Sequence, residues 1–128
     1  YGLSDSGQII GTFCNLAMKH NLFVWDKING TRIFELDIWS TPVINSIGSI
    51  AFTVFSDGFS IGSHEIFAPK YKVQIGNADS GFVSLNKFSL DLAKMANVFL
   101  LDMNNRGEIL IHDEDSQLVL LRPIQKTE

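Results

Sequence analysis

The sequence contains one cysteine, Cys14, so the chain cannot form an internal disulfide. Its three histidines show no zinc-site spacing with this cysteine. Lys and Arg total 10 residues against 14 Asp and Glu, and they form no basic cluster. The charge composition therefore gives no support for a nucleic-acid-binding surface. We expect no nucleic-acid partner, no metal and no cofactor, so packing alone must stabilise the fold.

Long apolar runs are missing too. No stretch approaches the roughly 18 consecutive apolar residues of a membrane span, and the mean hydropathy of +0.14 comes from many short runs. A hydrophobic content of 45% is enough for a real core. We expect one domain over residues 1–128, without membrane insertion. Because residue 1 is Tyr, we expect a processed or excised segment of a longer protein, in which any signal peptide lies outside these residues.

Short apolar runs rich in aromatic and β-branched residues recur from end to end, between Gly, Asn, Asp and Ser. They are too short for typical helices and are typical of strands. Nine runs are predicted as strands: 8–13, 22–26, 31–36, 49–55, 71–75, 81–85, 98–103, 108–112 and 117–122. Asn29 and Gly30 predict a tight hairpin between the second and third runs. Residues 89–96 are either two turns of helix or an irregular connection.

A short unit recurs three times: an apolar residue, a polar turn with Asn or Asp, a glycine, a polar residue and an apolar run. Its glycines are Gly7, Gly48 and Gly107, and a weaker copy contains Gly81. Turn side chains bond to the local backbone, while glycine adopts the left-handed conformation. Ordinary reuse of turns is the alternative, but three copies favour a true repeat. The units are about 1–43, 44–100 and 101–123, followed by a tail at 124–128.

Residues 1–13, with the sequence Tyr-Gly-Leu-Ser-Asp-Ser-Gly-Gln-Ile-Ile-Gly-Thr-Phe, and the run 20–25 that ends in Trp25 together resemble the bacterial HAF repeat. Residues 104–109 and 118–123 are similar to the way such arrays end. Residues 51–100 depart from the pattern, and 59–70 resemble an insertion. The resemblance implies a β-propeller-like architecture, often in exported bacterial proteins, and therefore favours a secreted or cell-envelope location.

We therefore predict an all-β fold of antiparallel sheets arranged as about three propeller-like blades. Propellers close with four to eight blades, so the chain is expected to be a partial propeller or a stack completed by association through open edges. A β-sandwich is the alternative fold.

No group of residues has the pattern of an active site, and no catalytic residue is predicted. Asp113, Glu114 and Asp115 offer oxygens at alternating positions, but the glycine and distal glutamate of a calcium loop are missing. A solvated hairpin turn is the favoured interpretation. Cys14 has no base near it in sequence, and the histidines form no motif: His20, His64 and His112.

The aromatic residues are the remaining candidates for a binding role. Most are expected to pack between sheets. Trp39, in the connection 37–42, is predicted to be exposed, where its flat ring suits a carbohydrate or peptide. Trp39, Asp113 and Asp115 are the predicted binding residues. The predicted function is a non-enzymatic module that binds a protein or a glycan, with a self-associating structural module, forming a homo-oligomer, or a fragment of a propeller hydrolase as alternatives.

Overall fold

The computed structural model describes residues 2–56, 59–61, 64–67, 70–85 and 97–123. These residues form thirteen β-strands, and neighbouring strands pair antiparallel throughout. The prediction of an all-β fold is confirmed. No helix within these ranges is long and apolar enough to cross a membrane. The segment 89–96 and the tail 124–128 lie outside the described residues.

Three sheets follow one another along the chain, each with its strands in sequential order apart from one inserted hairpin. Sheet 1 contains β1 (Gly2–Leu3), β2 (Ile9–Cys14), β3 (His20–Asp26) and β4 (Gly30–Phe34). Sheet 2 contains β5 (Val43–Ile44), β6 (Ile50–Ser56), β9 (Lys70–Asn77) and β10 (Gly81–Ser84). Sheet 3 contains β11 (Val98–Met103), β12 (Ile109–Asp113) and β13 (Leu118–Leu121). The inserted hairpin pairs β7 (Phe59–Ile61) with β8 (His64–Phe67), and the described strands close no barrel.

The nine predicted runs correspond to nine of these strands, from β2 to β13. The four that sequence reasoning missed are β1, β5, β7 and β8. β1 and β5 have two residues each, which is too short for any periodicity to register. β7 and β8 form a hairpin inside the stretch 59–70 that resembles an insertion, so the insertion is itself a paired element.

The recurrent turn unit folds as one defined loop in all three sheets. In its first residue, the backbone N–H donates to the carbonyl four residues later, and its own carbonyl accepts from the glycine N–H three residues later. The loops begin at Ser4, Asn45 and Asn104. Their glycines at 7, 48 and 107 have φ values of 83°, 91° and 78°, as predicted. The side chain of the first residue also accepts backbone N–H groups, which explains the preference for Asn and Ser.

The same loop occurs twice at the opposite end of the strands, where the sequence shows no glycine. It begins at Asn15, directly after β2, and at Asp113, the last residue of β12, with the same two backbone hydrogen bonds. Met18 and Ser116 occupy the left-handed position, each with φ of 62°. Gly81 belongs to a different turn, the one that precedes the fourth strand, and its counterpart is Gly30 rather than the glycine of the repeat unit.

Sheet 2 lies between the two parts of the hydrophobic core. Side chains alternate along a strand, so one face of β6 packs towards sheet 1 and the other towards sheet 3. The first cluster includes Ile10, Leu22 and Val24 of sheet 1 with Ile50, Phe52 and Val54 of sheet 2. The second includes Ala51 and Val73 of sheet 2 with Leu100, Ile109 and Ile111 of sheet 3.

Hydrogen bonds connect the first residues of the three loops in series. Ser4 Oγ donates to the carbonyl of Asn45 (2.5 Å), and Asn45 Nδ2 donates to the carbonyl of Asn104 (3.3 Å). The Asn104 amide instead donates to Glu108 Oε1 (2.8 Å). This bond, followed by the charge of Arg122, lowers the pKa of Glu108. Equivalent residues of successive sheets therefore repeat one contact, and in the third sheet the equivalent side chain bonds within its own loop.

Candidate functional site

Trp39 is held in place by an extended segment that pairs with the end of β6. Trp39 N–H donates to the carbonyl of Thr53 (2.8 Å), and Phe55 N–H donates to the carbonyl of Asp37 (3.1 Å). Ile38, between them, is buried in the core between sheets 1 and 2. Because alternate side chains of an extended segment point to opposite sides, Asp37 and Trp39 face away from this core. Trp39 is 56% exposed, as the sequence predicts.

Four further rings continue from Trp39 across sheets 2 and 3. The Trp39 ring centroid lies 6.0 Å from that of Phe55 and 5.8 Å from that of Tyr71. Tyr71 lies 5.0 Å from Phe99, and Phe99 stacks on His112 at 5.0 Å with 19° between the ring planes. We call these five residues the aromatic row. Except for Trp39, its rings are partly buried.

Strand pairing fixes the spacing of this row. Phe55 is the cross-strand partner of Tyr71 in β6 and β9, and Phe99 is the cross-strand partner of His112 in β11 and β12. Directly opposite side chains in an antiparallel pair stand about 4.5–5.5 Å apart at Cβ. The rings are therefore held by backbone that is hydrogen-bonded in the sheets, and a ligand would meet a surface that is already ordered.

Polar groups lie beside the rings. Asn97 Oδ1 accepts the backbone N–H of Tyr71 (2.8 Å), and Asn97 Nδ2 donates to Glu114 Oε1. A ring nitrogen of His112, Nδ1, lies 2.9 Å from the carbonyl of Asp113. The exposed carboxylate of Glu114 is thereby tethered next to the strand end that carries Tyr71. The site combines apolar ring faces with hydrogen-bonding groups at their margin.

The two predicted acidic binding residues have different surroundings. Asp113 Oδ1 accepts the backbone N–H groups of Asp115 and Gln117, at 2.9 Å each, so it holds the loop after β12. Asp115 is exposed at the tip of that loop. Glu114, which was not selected from the sequence, is the acidic residue whose side chain extends towards the row through Asn97. The binding roles of Asp113 and Asp115 stay predictions.

Sequence reasoning singled out Trp39 but not Phe55, Tyr71 or Phe99 as its companions. These residues are 16 to 60 positions from Trp39, and only the pairing of strands unites them. The one usable signal was that each of these three aromatic residues lies at or next to one end of its predicted strand.

Cys14 and His20 occupy opposite positions in the pair formed by β2 and β3, a proximity that the sequence did not suggest. Both are exposed, and Cys14 Sγ lies 3.6 Å from the carbonyl of Asn15. No group of three or more His, Cys, Asp or Glu in the described part of the chain is placed to hold a metal ion. His64 lies in β8.

A groove of about 320 Å³ lies at the opposite end of the strands, lined in part by Gln8, Asp26, Arg32 and Asp79. Arg32 bonds Asp79 (2.7 Å) and Asp26 (3.0 Å), and the hydrogen bond to Asp79 is the main cause of the raised pKa of its guanidinium. The backbone N–H of Asn29 chiefly lowers the pKa of Asp26. Since both carboxylates already balance Arg32, this cluster is a clamp between sheets 1 and 2 rather than an open anion site.

Comparisons with known proteins add no relative: no protein-family model, no curated protein and no solved structure matches the chain. The resemblance to the HAF repeat stays a prediction.

Proposed function

We propose that the chain is a non-enzymatic, propeller-like binding module and that the aromatic row is its glycan-binding surface. The observation that carries this proposal is the exposed Trp39 at the head of a row of rings fixed by strand pairing. Three successive antiparallel sheets, connected through equivalent loops, support the propeller-like part of the proposal.

A glycan suits the row because pyranose rings present apolar C–H faces and polar edges. Flat aromatic side chains bind such faces, while a few polar groups fix the orientation of the ligand. Trp39 supplies an open ring face, and the neighbouring rings continue in steps of 5.8 and 5.0 Å. Asn97 and Glu114 lie where they can bond hydroxyl groups. We therefore expect an extended oligosaccharide rather than a single sugar.

The row favours binding over hydrolysis. Glycoside hydrolysis by the usual mechanism needs two carboxyl groups flanking one bond. Of the acidic residues in the loop after β12, Asp113 accepts two backbone N–H groups and Glu114 accepts the Asn97 amide. Asp113 is therefore engaged by its own loop, so of these two residues only Glu114 extends beside the rings, and the two do not form a pair that flanks one bond. A hydrolase fragment is the less favoured alternative.

The test is the binding of soluble xylan, β-glucan and chitin oligosaccharides by the 128-residue chain, measured by affinity electrophoresis and calorimetry. Trp39→Ala removes the open ring face, and Trp25→Phe is the matched control because Trp25 lies in sheet 1, outside the row. We expect W39A to weaken binding at least about tenfold, which corresponds to about 1.4 kcal/mol. We expect W25F to bind as the wild type does.

Equal binding by W39A and the wild type would contradict a role for the row. Absence of binding to all three glycans, together with binding of an aromatic-rich peptide that W39A loses, would assign the row to a protein ligand instead.

A further inference from the structure

The outer face of sheet 1 exposes a contiguous group of apolar side chains. Ile9, Phe13, Trp25 and Ile33 are 37–57% exposed. Ile9 pairs directly with Trp25, and Ile33 pairs with the half-buried Phe23, so these residues lie on one face of the sheet. Exposed apolar groups of this extent are uncommon on soluble monomers and mark interaction surfaces.

The position equivalent to Ile9 is buried against the preceding sheet in both of the other sheets. Counting from the first residue of each loop, Ile9 corresponds to Ile50 in sheet 2 and to Ile109 in sheet 3. Ile50 packs in the cluster between sheets 1 and 2, and Ile109 packs in the cluster between sheets 2 and 3. Sheet 1 therefore presents the surface that sheets 2 and 3 use to contact a preceding sheet.

Sheet 3 has the complementary open face. Leu118 and Leu120 of β13 are 66% and 49% exposed, and Leu120 pairs directly with Leu110 of β12. In sheet 1, the equivalent of Leu110 is Ile10, whose cross-strand partner is Val24. Both of these sheet 1 residues are fully buried against sheet 2. Sheet 3 therefore presents the surface that sheet 1 uses to contact a following sheet.

The hydrogen bonds between the loops point the same way. In each of the first two loops, the side chain of the first residue donates to the carbonyl of the first residue of the next loop. The equivalent donor of the third loop, Asn104, bonds Glu108 in its own sheet and would have to exchange that partner for the equivalent acceptor, the carbonyl of Ser4 in the first loop. One end of the stack therefore carries the donor residue of this hydrogen bond, and the other end carries its acceptor.

We infer that two copies of this chain assemble head to tail, with the outer face of sheet 3 of each copy packed on the outer face of sheet 1 of the other. The two identical interfaces repeat the packing between sheets within the chain and close a ring of six sheets, a number within the usual range for propellers. His112 is the cross-strand partner of Leu118 and stacks on Phe99, so these two rings lie on the sheet 3 face and the assembly covers that end of the aromatic row, whereas Phe55 and Tyr71 belong to sheet 2. The inference is argued from the repeated packing of the sheets and not from glycan binding.

The test uses one substitution at an exposed position of each face. Ile33→Asp places a charge on the sheet 1 face, and Leu118→Asp places one on the sheet 3 face. Ile28→Asp, in the exposed turn between β3 and β4, is the control. Light scattering across a concentration series gives the mass, and circular dichroism verifies that every variant is folded.

We expect the wild type and I28D to have twice the chain mass of 14.3 kDa. I33D alone and L118D alone are expected to be folded monomers. Their equimolar mixture is expected to regain the doubled mass at high concentration, because the I33D copy still has its sheet 3 face and the L118D copy its sheet 1 face.

A wild-type monomer at every concentration would overturn the inference. A dimer formed by either face variant alone would show like-to-like packing and would also overturn it. A mass that grows without limit would show an open chain of copies instead of a closed ring. W39A is expected to keep the doubled mass, so loss of glycan binding and loss of assembly are distinguishable.

Discussion

Thr53→Val tests whether sheets 2 and 3 are joined by a buried hydrogen bond. Thr53 is fully buried in β6, and its Oγ1 accepts the backbone N–H of Leu100 in β11 at 2.9 Å. Valine has nearly the same shape as threonine, so the substitution leaves no cavity. It leaves the buried Leu100 N–H without its acceptor.

An unpaired buried donor costs about 1–3 kcal/mol. We therefore expect T53V to lower the free energy of unfolding by that amount, a large part of the roughly 5–15 kcal/mol typical of a domain. Urea unfolding at one fixed protein concentration measures the change, since association would otherwise alter the apparent stability. Amide exchange of Leu100 is expected to become faster.

Thr12→Val is the matched control. Thr12 holds the equivalent position in β2, is partly exposed, and has no side-chain hydrogen bond within the described residues. We expect T12V to change stability by less than about 0.5 kcal/mol. Equal free energies of unfolding for T53V and T12V would refute the reasoning, because they would show that the bond between the sheets contributes nothing measurable.

Three more predictions concern the loops. The folded-state pKa values of Asp26 and Glu108 are lowered, so their stabilisation is present above the unfolded pKa and is lost as pH falls through the folded values; we expect the free energy of unfolding to decrease as pH falls below about 4. Gly7→Ala meets open space at φ of +83°, and Gly48→Ala at φ of +91° comes within 2.9 Å of Gln8 Oε1, the end of a flexible side chain that can move aside; each is expected to cost about 1–2 kcal/mol, by urea unfolding, because of the left-handed backbone. Ser4→Ala is expected to cost about 1 kcal/mol in the same assay, because the hydrogen bond to the next sheet is lost.

Each of these predictions has a result that would contradict it. Stability that stays constant from pH 6 to pH 3 would show that the two carboxylates do not stabilise the fold. G7A or G48A as stable as the wild type would show that the left-handed position of the loop tolerates a side chain. A neutral S4A would remove the support for serial hydrogen bonding between the sheets.

Most of the fold could be predicted because strands and turns are encoded locally. The nine predicted runs were found as strands, and the Asn29-Gly30 hairpin connects β3 to β4 with Gly30 at φ of 68°. The conformation of a tight turn depends only on neighbouring residues, so the three repeat loops could also be predicted from the sequence. The glycine-free loops at Asn15 and Asp113 were not recognised as copies, because Met18 and Ser116 give no sequence signal for positive φ.

The candidate site was predictable only in part. The exposure of Trp39 followed from its place in a connection. Its contacts with Phe55 and Tyr71 depend on the pairing of β6 with β9 across the intervening hairpin. Such pairing is non-local, and no pattern within a short window encodes it. The preference for Asp115 over Glu114 was arbitrary at the sequence level, since only the folded loop shows which carboxylate extends towards Asn97.

The most direct test of the aromatic row is a fluorescence titration of the Trp25→Phe protein, in which Trp39 is the single tryptophan. Soluble xylan, β-glucan and chitin oligosaccharides are added in turn. We predict that at least one of them shifts and saturates the Trp39 emission, while the Trp39→Phe protein, which reports only from Trp25, shows no shift. Unchanged Trp39 emission with all three glycans, or an equal shift of Trp25, would contradict a glycan-binding surface at Trp39.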